Sequence, residues 1–297
     1  MYNSQMISDQ GMQDGPDMVE GWVAQPGGVL TVTSSLYVTQ CVALPVADGG
    51  YVLVDPGVTP VEVRGLLAEL SERGLRVVAV MHTHAHWDHL LWPPGLASDI
   101  PRWASNTCID TALRNSRALQ AEAAADVGPR EAADLLSELD RLRPLPAEGG
   151  VPDVPQLCVV EHQAHTRGHI AVLHEPSGTL CAGDMLSDIE LPLPDGAGEG
   201  ESAWDVAAYL DGLDTLQPLV NRAALVVPGH GNPGTDAAAR LANDRTYLDA
   251  VLQHRGTDDV RLADASNQAI HAALTSWAAF QPIGPSTASP SESPRQP

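Results

Sequence analysis

A run of histidines with one aspartate follows directly on a short apolar segment, and this run constrains the fold more than any other feature of the sequence. Residues 76–81, RVVAVM, predict a strand, and residues 82–89 continue as His-Thr-His-Ala-His-Trp-Asp-His. Alternate side chains of an extended segment point the same way, so His84, His86 and Asp88 can share one side. His89 can reach the same place as the chain turns away. Imidazole nitrogens and a carboxylate oxygen are ligands that zinc prefers where sulfur is absent.

A metal site also needs ligands from other parts of the chain, and three predicted strands end in suitable residues. His169 follows the strand in residues 156–164, Asp184 follows TLCAG, and His230 follows ALVVPG. A glycine close to each of them lets the backbone turn sharply at the sheet edge. We therefore expect these residues to join the histidine run in one site. The neighbouring His82, His162 and His165 are expected to lie outside it, because the ligand set is already full.

The order of predicted elements indicates an α/β protein with one catalytic domain over residues 21–281. Strands come before helices in two successive batches, which fits two mixed sheets packed face to face with helices outside. A helical hairpin at about 108–145, divided at Gly128 and Pro129, is inserted between them. Residues 1–20 are polar and without periodicity, and residues 282–297 are rich in Pro and Ser, so both ends are expected to be flexible and disordered.

Charge and hydropathy exclude several classes of function. The net charge is −22 and the chain contains no lysine, so its surface repels nucleic acid. No apolar run approaches the roughly 20 residues that cross a bilayer, and the first twenty residues do not look like a signal peptide. We therefore expect a cytoplasmic protein without a membrane partner. The four cysteines form no CxxC pair and are predicted to be buried, reduced thiols.

With these motifs the chain resembles the metallo-β-lactamase superfamily from roughly Val29 to Asn232. Five motifs carry the resemblance: Asp55 in LVDPG, the segment HAHWDH, His169, Asp184 and His230. The resemblance implies an αββα sandwich of two mixed β-sheets with helices on the outer faces. It also implies two zinc ions, one held by His84, His86 and His169. The other would be held by Asp88, His89 and His230. Asp184 would bridge both, and Asp55 would fix the tautomer of a ligand histidine.

Two zinc ions a few Å apart can hold a bridging hydroxide at neutral pH. We expect this hydroxide to cleave an acyl bond in a small, partly apolar substrate: a lactone, ester, thioester or amide. Asp88 would orient it or carry its proton to the leaving group. Trp87, Trp92 and Trp103 are weaker candidates for an apolar pocket, and Arg167 for an anchor of a substrate carboxylate. The inserted hairpin and the loop from Leu191 to Ser202 are predicted to form the pocket walls.

Several alternatives remain open at this point. Glyoxalase-like thioester hydrolysis fits the same fold, although a glutathione site usually needs basic residues and the C-terminal helices have few. A phosphodiesterase or ribonuclease would keep the metals, but the acidic surface argues against it. The same ligands can hold iron, as in a dioxygenase or a flavodiiron electron carrier, or manganese. A metal-binding protein without enzymatic activity is the least favoured alternative. The sequence leaves a homodimer open.

Overall fold

The computed structural model describes residues 21–146, 150–195 and 204–281. The expectations for residues 1–20 and 282–297 therefore lie outside the described residues. The described strands are β1 Val23–Ala24, β2 Leu30–Thr33, β3 Gln40–Pro45, β4 Gly50–Val54, β5 Arg76–Met81, β6 Arg102–Ala104, β7 Arg143–Pro144, β8 Leu157–His162, β9 His169–His174, β10 Thr179–Gly183 and β11 Leu225–Pro228. The described helices are α1 Pro60–Glu72, α2 Asn106–Arg114, α3 Ser116–Val127, α4 Pro129–Leu135, α5 Val206–Val220, α6 Ala237–Leu252 and α7 Ala265–Ala278.

The strands form two mixed sheets. The first sheet holds β1 to β7 in sequence order, and the second has the order β11-β10-β9-β8. In the first sheet, β1 to β4 run antiparallel, and β4 to β7 are parallel to one another. In the second sheet, β11 is parallel to β10 and the other pairs are antiparallel. Parallel neighbours end at the same edge of a sheet, so the loops after β4 and β5 emerge side by side, as do those after β10 and β11.

Three apolar clusters show that the layers are helix, sheet, sheet and helix. Between the sheets, Met81 and Val54 of the first pack with Ile170 and Val227 of the second. The outer face of the first sheet is covered by α1. The outer face of the second is covered by α5, α6 and α7, whose buried residues join those of β9 and β10. The predicted αββα sandwich is confirmed.

The first helix starts where the sequence supplies a complete N-terminal cap. Thr59 Oγ1 accepts a hydrogen bond from Glu62 N, and the Glu62 carboxylate accepts one from Thr59 N. Such a reciprocal pair satisfies backbone donors that the first helical turn leaves free. Pro60 at the first helical position has a backbone angle already suited to the helix. The helix therefore begins five residues after Asp55, and its apolar side packs on the first sheet.

The inserted segment contains three helices, α2, α3 and α4, rather than the two of the predicted hairpin. The additional break falls at Asn115, whose ψ of 10° ends α2 and starts α3. Asn often leaves helical geometry, since its side chain competes for backbone hydrogen bonds. The last α-helix of the insertion ends at Leu135; Leu139 lies in a 3₁₀ turn and Leu142 in extended backbone, so the helical part ends before the predicted bound at 145.

Two other expectations can be compared with the described residues. All four cysteines are free, and Cys41, Cys108 and Cys181 are buried, while Cys158 is half-buried. In the described part of the chain, no helix has the length and hydropathy needed to cross a membrane.

Candidate metal centre

The candidate ligands lie where the strands of both sheets end at a common edge. The run from His84 to His89 follows β5, and residues 87–89 form a single 3₁₀ turn. Asp184 follows β10, His230 follows β11, and His165 lies in the turn between β8 and β9. The first sheet thus supplies four of these residues and the second supplies three. This explains why residues so far apart in sequence converge.

One group of potential ligand atoms comprises His84, His86, His165 and Asp184, with all the atoms within 4.8 Å of one another. His86 Nδ1 lies 3.1 Å from His84 Nε2 and 3.0 Å from His165 Nε2. Asp184 Oδ2 lies 3.2 Å from His84 Nε2 and 3.4 Å from His165 Nε2. Three imidazole nitrogens and one carboxylate oxygen therefore face a common point.

The second group comprises Asp88, His89 and His230. Asp88 Oδ2 lies 3.3 Å from His89 Nε2 and 3.2 Å from His230 Nε2, and the two nitrogens are 3.2 Å apart. Asp184 joins this group as well, because its Oδ1 lies 3.2 Å from His89 Nε2 and its Oδ2 lies 3.2 Å from His230 Nε2. The carboxylate of Asp184 thus stands between the two groups.

These spacings fit metal ions. Ligands about 2.0–2.1 Å from a tetrahedral zinc lie roughly 3.3 Å from one another, close to the nitrogen separations within each group. In addition, Asp184 Oδ1 is buried and has no hydrogen-bond partner among the described residues, although His89 Nε2 is near. A buried polar atom without a partner is costly and asks for an explanation. A metal ion shared through Asp184 would satisfy it.

Asp55 fixes two of the histidines from outside the centre. Its Oδ2 lies 2.9 Å from His89 Nδ1 and accepts a hydrogen bond of 2.7 Å from Thr83 Oγ1. The hydroxyl of Thr83 has one proton, which it donates to Asp55, so it must accept from His84 Nδ1 at 2.9 Å. Both histidines therefore carry their proton on Nδ1, which leaves Nε2 with a lone pair for a metal.

The other three candidate histidines have an acceptor on the side away from the centre as well. His165 Nδ1 lies 2.9 Å from the Leu193 carbonyl oxygen, and His230 Nδ1 lies 3.1 Å from that of Tyr37. His86 is turned the other way, with Nε2 3.4 Å from Asp195 Oδ2 and Nδ1 towards the first group. Such outward partners fix the tautomer and the ring orientation of metal-binding histidines.

His169, a predicted ligand, does not belong to either group, whereas His165, which was expected to lie outside the site, belongs to the first. It is the first residue of β9, and neither of its ring nitrogens has a hydrogen-bond partner among the described residues. Its ring packs against Gly183, where a Cβ would collide with Nε2. The structure brings His165 to the first group instead. The useful signal was position: His165 lies in the turn at the sheet edge, whereas His169 has already entered the next strand.

The two other histidines near the motif lie outside both groups, as expected. His82 Nδ1 is 2.6 Å from the His89 carbonyl oxygen, so this buried ring connects the start of the segment 82–89 to its end. His162 Nδ1 accepts a hydrogen bond of 3.3 Å from Ala164 N.

The electrostatics of the site favour cations. Burial by itself would raise the pKa of Asp184, but His230, His89 and His84 hold it well below the usual value. Burial would likewise raise the pKa of Asp88, but the neighbouring His89 and His230 lower it well below the usual value. Burial also works against a charged His86, yet its hydrogen bonds to Asp184 and Asp195 raise its pKa to about 10. Both carboxylates therefore remain ionised in a buried place, which a cation would stabilise.

The predicted pocket residues have different surroundings. Trp87 is buried beside the centre, with its ring edge-on to Tyr37 at 6.2 Å. Trp92 lies in the apolar cluster under α1, where its indole donates to the Leu96 carbonyl oxygen, so it does not line the metal centre. Trp103 is half-buried in the cluster between the sheets, and Arg167 is exposed. Of the four pocket candidates, Trp87 is the one that the described contacts place beside the candidate centre.

Acidic residues that the sequence analysis did not single out lie near the candidate centre. Asp195 follows β10 by a loop and lies against His86. Asp126 and Glu122 come from α3, with Asp126 beside the Tyr37 hydroxyl. Burial raises the pKa of Glu122; the nearby His86 lowers it, and Asp195 and Asp88 raise it further. Nothing in the local sequence around Glu122 or Asp126 indicated this position, because it depends on how α3 packs over the 3₁₀ turn.

Curated relatives match most of the chain. The hydroxyacylglutathione hydrolase of Xanthomonas axonopodis pv. citri (strain 306) is 31% identical over 243 residues, covering 81% of this chain and 79% of the relative. The protein with the same name from Xanthomonas euvesicatoria pv. vesicatoria (strain 85-10) is 30% identical over the same lengths.

Solved structures share the fold at lower identity. A beta-lactamase domain protein from Burkholderia ambifaria has a TM-score of 0.61 at 22% identity, with 87% of each chain covered. The DIM-1 metallo-beta-lactamase has a TM-score of 0.56 at 16% identity, covering 78% of this chain and 99% of that one. TTHA1623 in a di-iron-bound form has a TM-score of 0.53 at 24% identity, covering 71% of this chain and 97% of that one.

The family model described as metallo-beta-lactamase superfamily matches residues 31–230, a range that contains β3 to β11 and every candidate ligand. The chain belongs to the metallo-beta-lactamase superfamily.

Proposed function

We propose that this chain is a hydrolase that binds two zinc ions and cleaves an acyl bond, with a thioester as the favoured substrate. One observation carries the proposal: two groups of ligand atoms are joined by the Asp184 carboxylate, and each of their histidines has an outward acceptor. The proposed ligands of one ion are His84, His86 and His165, and those of the other are Asp88, His89 and His230. Asp184 is the proposed ligand shared by both.

The residues of the chain divide the work around the metals. When bound, two zinc ions lower the pKa of a water molecule to near neutrality and polarise a substrate carbonyl. Asp88 approaches His89 and His230 through Oδ2, which leaves Oδ1 to accept the proton of the attacking water. Asp55 and Thr83 hold the histidine rings in place. We expect these side chains to move little when a substrate binds, because their hydrogen-bond donors and acceptors already point at their partners.

The chemistry of the leaving group favours a thioester. Neighbouring histidines hold the pKa values of Asp88 and Asp184 well below the usual value, so a proton for the leaving group would have to come from the attacking water by way of Asp88. A thiol has a pKa of about 8.5 and leaves as a thiolate without protonation. An amide nitrogen must be protonated as it leaves. The curated relatives named hydroxyacylglutathione hydrolases support the same bond.

The charge near the candidate centre argues for a thiol other than glutathione. Asp195, Glu122 and Asp126 lie near the centre, and the chain has no lysine to offset them. The carboxylates of glutathione would be repelled there. Trp87 and Tyr37 provide apolar surface next to the centre. A small, partly apolar acyl thioester of an uncharged thiol is therefore the proposed substrate.

A substrate panel with zinc-loaded protein tests the proposal. We expect kcat/KM to be highest for an acyl thioester of N-acetylcysteamine, lower for a hydroxyacyl-glutathione thioester and a lactone, and negligible for a phosphodiester. Rapid turnover of the phosphodiester with no thioesterase activity would contradict the proposed bond. Elemental analysis of protein purified without added metal separates zinc from iron, and stoichiometric iron with oxygen consumption would favour a dioxygenase instead.

A further inference from the structure

A cavity of about 440 Å³ lies outside the candidate metal centre, at the start of β6 and β7. No candidate metal ligand lines it. Its lining residues are Trp92, Ala97, Ser98, Ile100, Pro101, Arg102, Glu138, Arg141 and Arg143. Three of these are arginines, in a chain that has only 16 basic residues against 38 acidic ones. In a protein this acidic, such a concentration of positive charge requires a physical reason.

Arg102 is the buried member of the three arginines. It is 4% exposed, and its guanidinium carbon lies 5.6 Å from the centre of the Trp92 ring. Its Nη2 donates a 2.6 Å hydrogen bond to the Glu138 carbonyl oxygen. The described residues supply no partner to Nε or Nη1. A guanidinium has five N–H donors in a planar fork, so several of them stay available to a molecule in the cavity.

The charges that line the cavity do not cancel. Glu138 is the acidic lining residue; its carboxylate lies 3.7 Å from Arg102 and 3.5 Å from Arg141, and it also accepts from Gly95 N. Arg143 extends over the Trp103 ring at 5.8 Å. Burial and the neighbouring Arg141 lower the pKa of Arg102 to about 10, so it stays charged at neutral pH. Three arginines and one glutamate thus line the cavity, and the Asp140 carboxylate acts on Arg102 from nearby.

We propose that this cavity binds a small ligand through an oxyanion, a phosphate or a carboxylate group. Guanidinium groups match both oxyanions through paired hydrogen bonds, and Arg is preferred to Lys where planar recognition is needed. The volume lies within the range of small-molecule sites. Ser98 adds a hydroxyl to the lining. The large negative charge of the rest of the chain excludes a polyanion such as nucleic acid.

The competing explanation is that the arginines only fasten β6 to the turn at Glu138. Arg102 alone makes the hydrogen bond to that backbone. Arg141 and Arg143 are exposed: Arg141 pairs with the Glu138 carboxylate at 3.5 Å, and Arg143 lies over the Trp103 ring. Removing these two charges therefore leaves the fastening contact intact, while it removes most of the positive charge of the proposed site.

Calorimetric titration of the zinc-loaded protein at constant ionic strength tests the proposal, with inorganic phosphate and acetate in separate arms. The variant Arg141→Gln/Arg143→Gln is compared with Arg64→Gln/Arg255→Gln, which removes two exposed arginines elsewhere. We expect saturable binding that is about tenfold weaker or more in the first variant and unchanged in the second, with kcat/KM unaffected. Because all three proteins share the metal centre, anions bound there cancel in the comparison.

The two arms identify the ligand class. Tighter phosphate binding indicates a phosphorylated ligand, and tighter acetate binding indicates a carboxylate. The proposal is overturned if neither anion binds saturably, or if both variants bind as the unmodified protein does.

Discussion

Asp55 occupies a strained backbone conformation that its hydrogen bonds explain. Its φ is +48°, a left-handed value that Asp adopts more readily than most residues. In this conformation one carboxylate reaches Thr83 N, Thr83 Oγ1 and His89 Nδ1. Strain of this kind costs of order 1–3 kcal/mol and persists where surrounding contacts over-determine it. Here the strained residue orients rings on both sides of the centre.

The pair His165 and His169 gives the sharpest prediction at the residue scale. We expect His165→Ala to lose one metal per chain and at least a hundredfold in kcat/KM, because it removes a ligand of the first group. His169→Ala is expected to retain both metals and to cost stability alone, on the order of 1–3 kcal/mol for a buried side chain. Metal analysis, kinetics and denaturant unfolding of both variants separate the effects. Full metal content in His165→Ala would restore His169 as the ligand.

Asp88 carries the proposed proton transfer, and Asp88→Asn keeps its shape while removing its charge. We expect kcat to fall by at least 10²-fold, with the far-ultraviolet circular dichroism unchanged. One metal should be held more weakly, because a neutral amide replaces an ionised ligand. Ser71→Ala on α1, far from the centre in the fold, is the matched control and should leave kcat unchanged. A near-normal rate in Asp88→Asn with saturating zinc would remove the role assigned to this residue.

At the scale of elements, the sequence predicted which strand ends meet, but not which histidine after β8 faces the candidate centre. The histidine run and Asp184 were predictable because each directly follows a short apolar strand. His165 and His169 are four residues apart and both follow β8, but His165 lies in the turn and His169 is the first residue of β9. Which of them turns towards the centre depends on where β9 begins, and its pairing of His162 with His169 sets that boundary. This pairing is a tertiary contact that periodicity does not indicate.

The helical insertion shows a similar limit. Its helical character was predictable from composition, but its contacts with the 3₁₀ turn were not. Leu119 and Leu136 pack in one cluster with Trp87 and Leu90, so the insertion buttresses the segment that carries Asp88 and His89. That it also forms the wall of the substrate pocket stays a prediction. The loop predicted to form the opposite wall, 191–202, is described only as far as Asp195.

Two leucines of the insertion allow its supporting role to be tested. Leu119 is 5% exposed within this cluster, whereas Leu113 is 45% exposed. We expect Leu119→Ala to lower the free energy of unfolding by about 2–4 kcal/mol and to raise KM or lower kcat, since the 3₁₀ turn loses a packing partner. Leu113→Ala should change the free energy of unfolding by less than about 0.5 kcal/mol. Equal kinetics in both variants, despite the stability loss in Leu119→Ala, would show that the insertion does not hold the metal-binding turn.

At the scale of the whole molecule, the candidate centre joins the two sheets. His84, His86, Asp88 and His89 are attached to the first sheet, and the residues from the second are His165, Asp184 and His230. Without cations, the ionised Asp88 and Asp184 are compensated only by neighbouring histidines that must carry protons. Metal ions bound by the proposed ligands would replace those protons and connect the two sheets at this edge. Metal binding should therefore stabilise the complete domain as well as supply the chemistry.

Chelation tests this coupling between the metals and the fold. We expect about two zinc ions per chain, whose removal abolishes hydrolysis and lowers Tm. A ligand that binds only the native state at a thousand times its Kd contributes roughly 4 kcal/mol, which corresponds to a Tm change of roughly 8–16 °C for a domain of this size. Zinc added back should restore activity and Tm together, while magnesium, which prefers oxygen ligands, should restore neither.

Asp88→Asn provides the matched intermediate, with a smaller fall in Tm on chelation because one ion is already held weakly. A single metal per chain in fully active protein would contradict the binuclear centre, and an unchanged Tm after complete metal removal would show that the sheets do not depend on it.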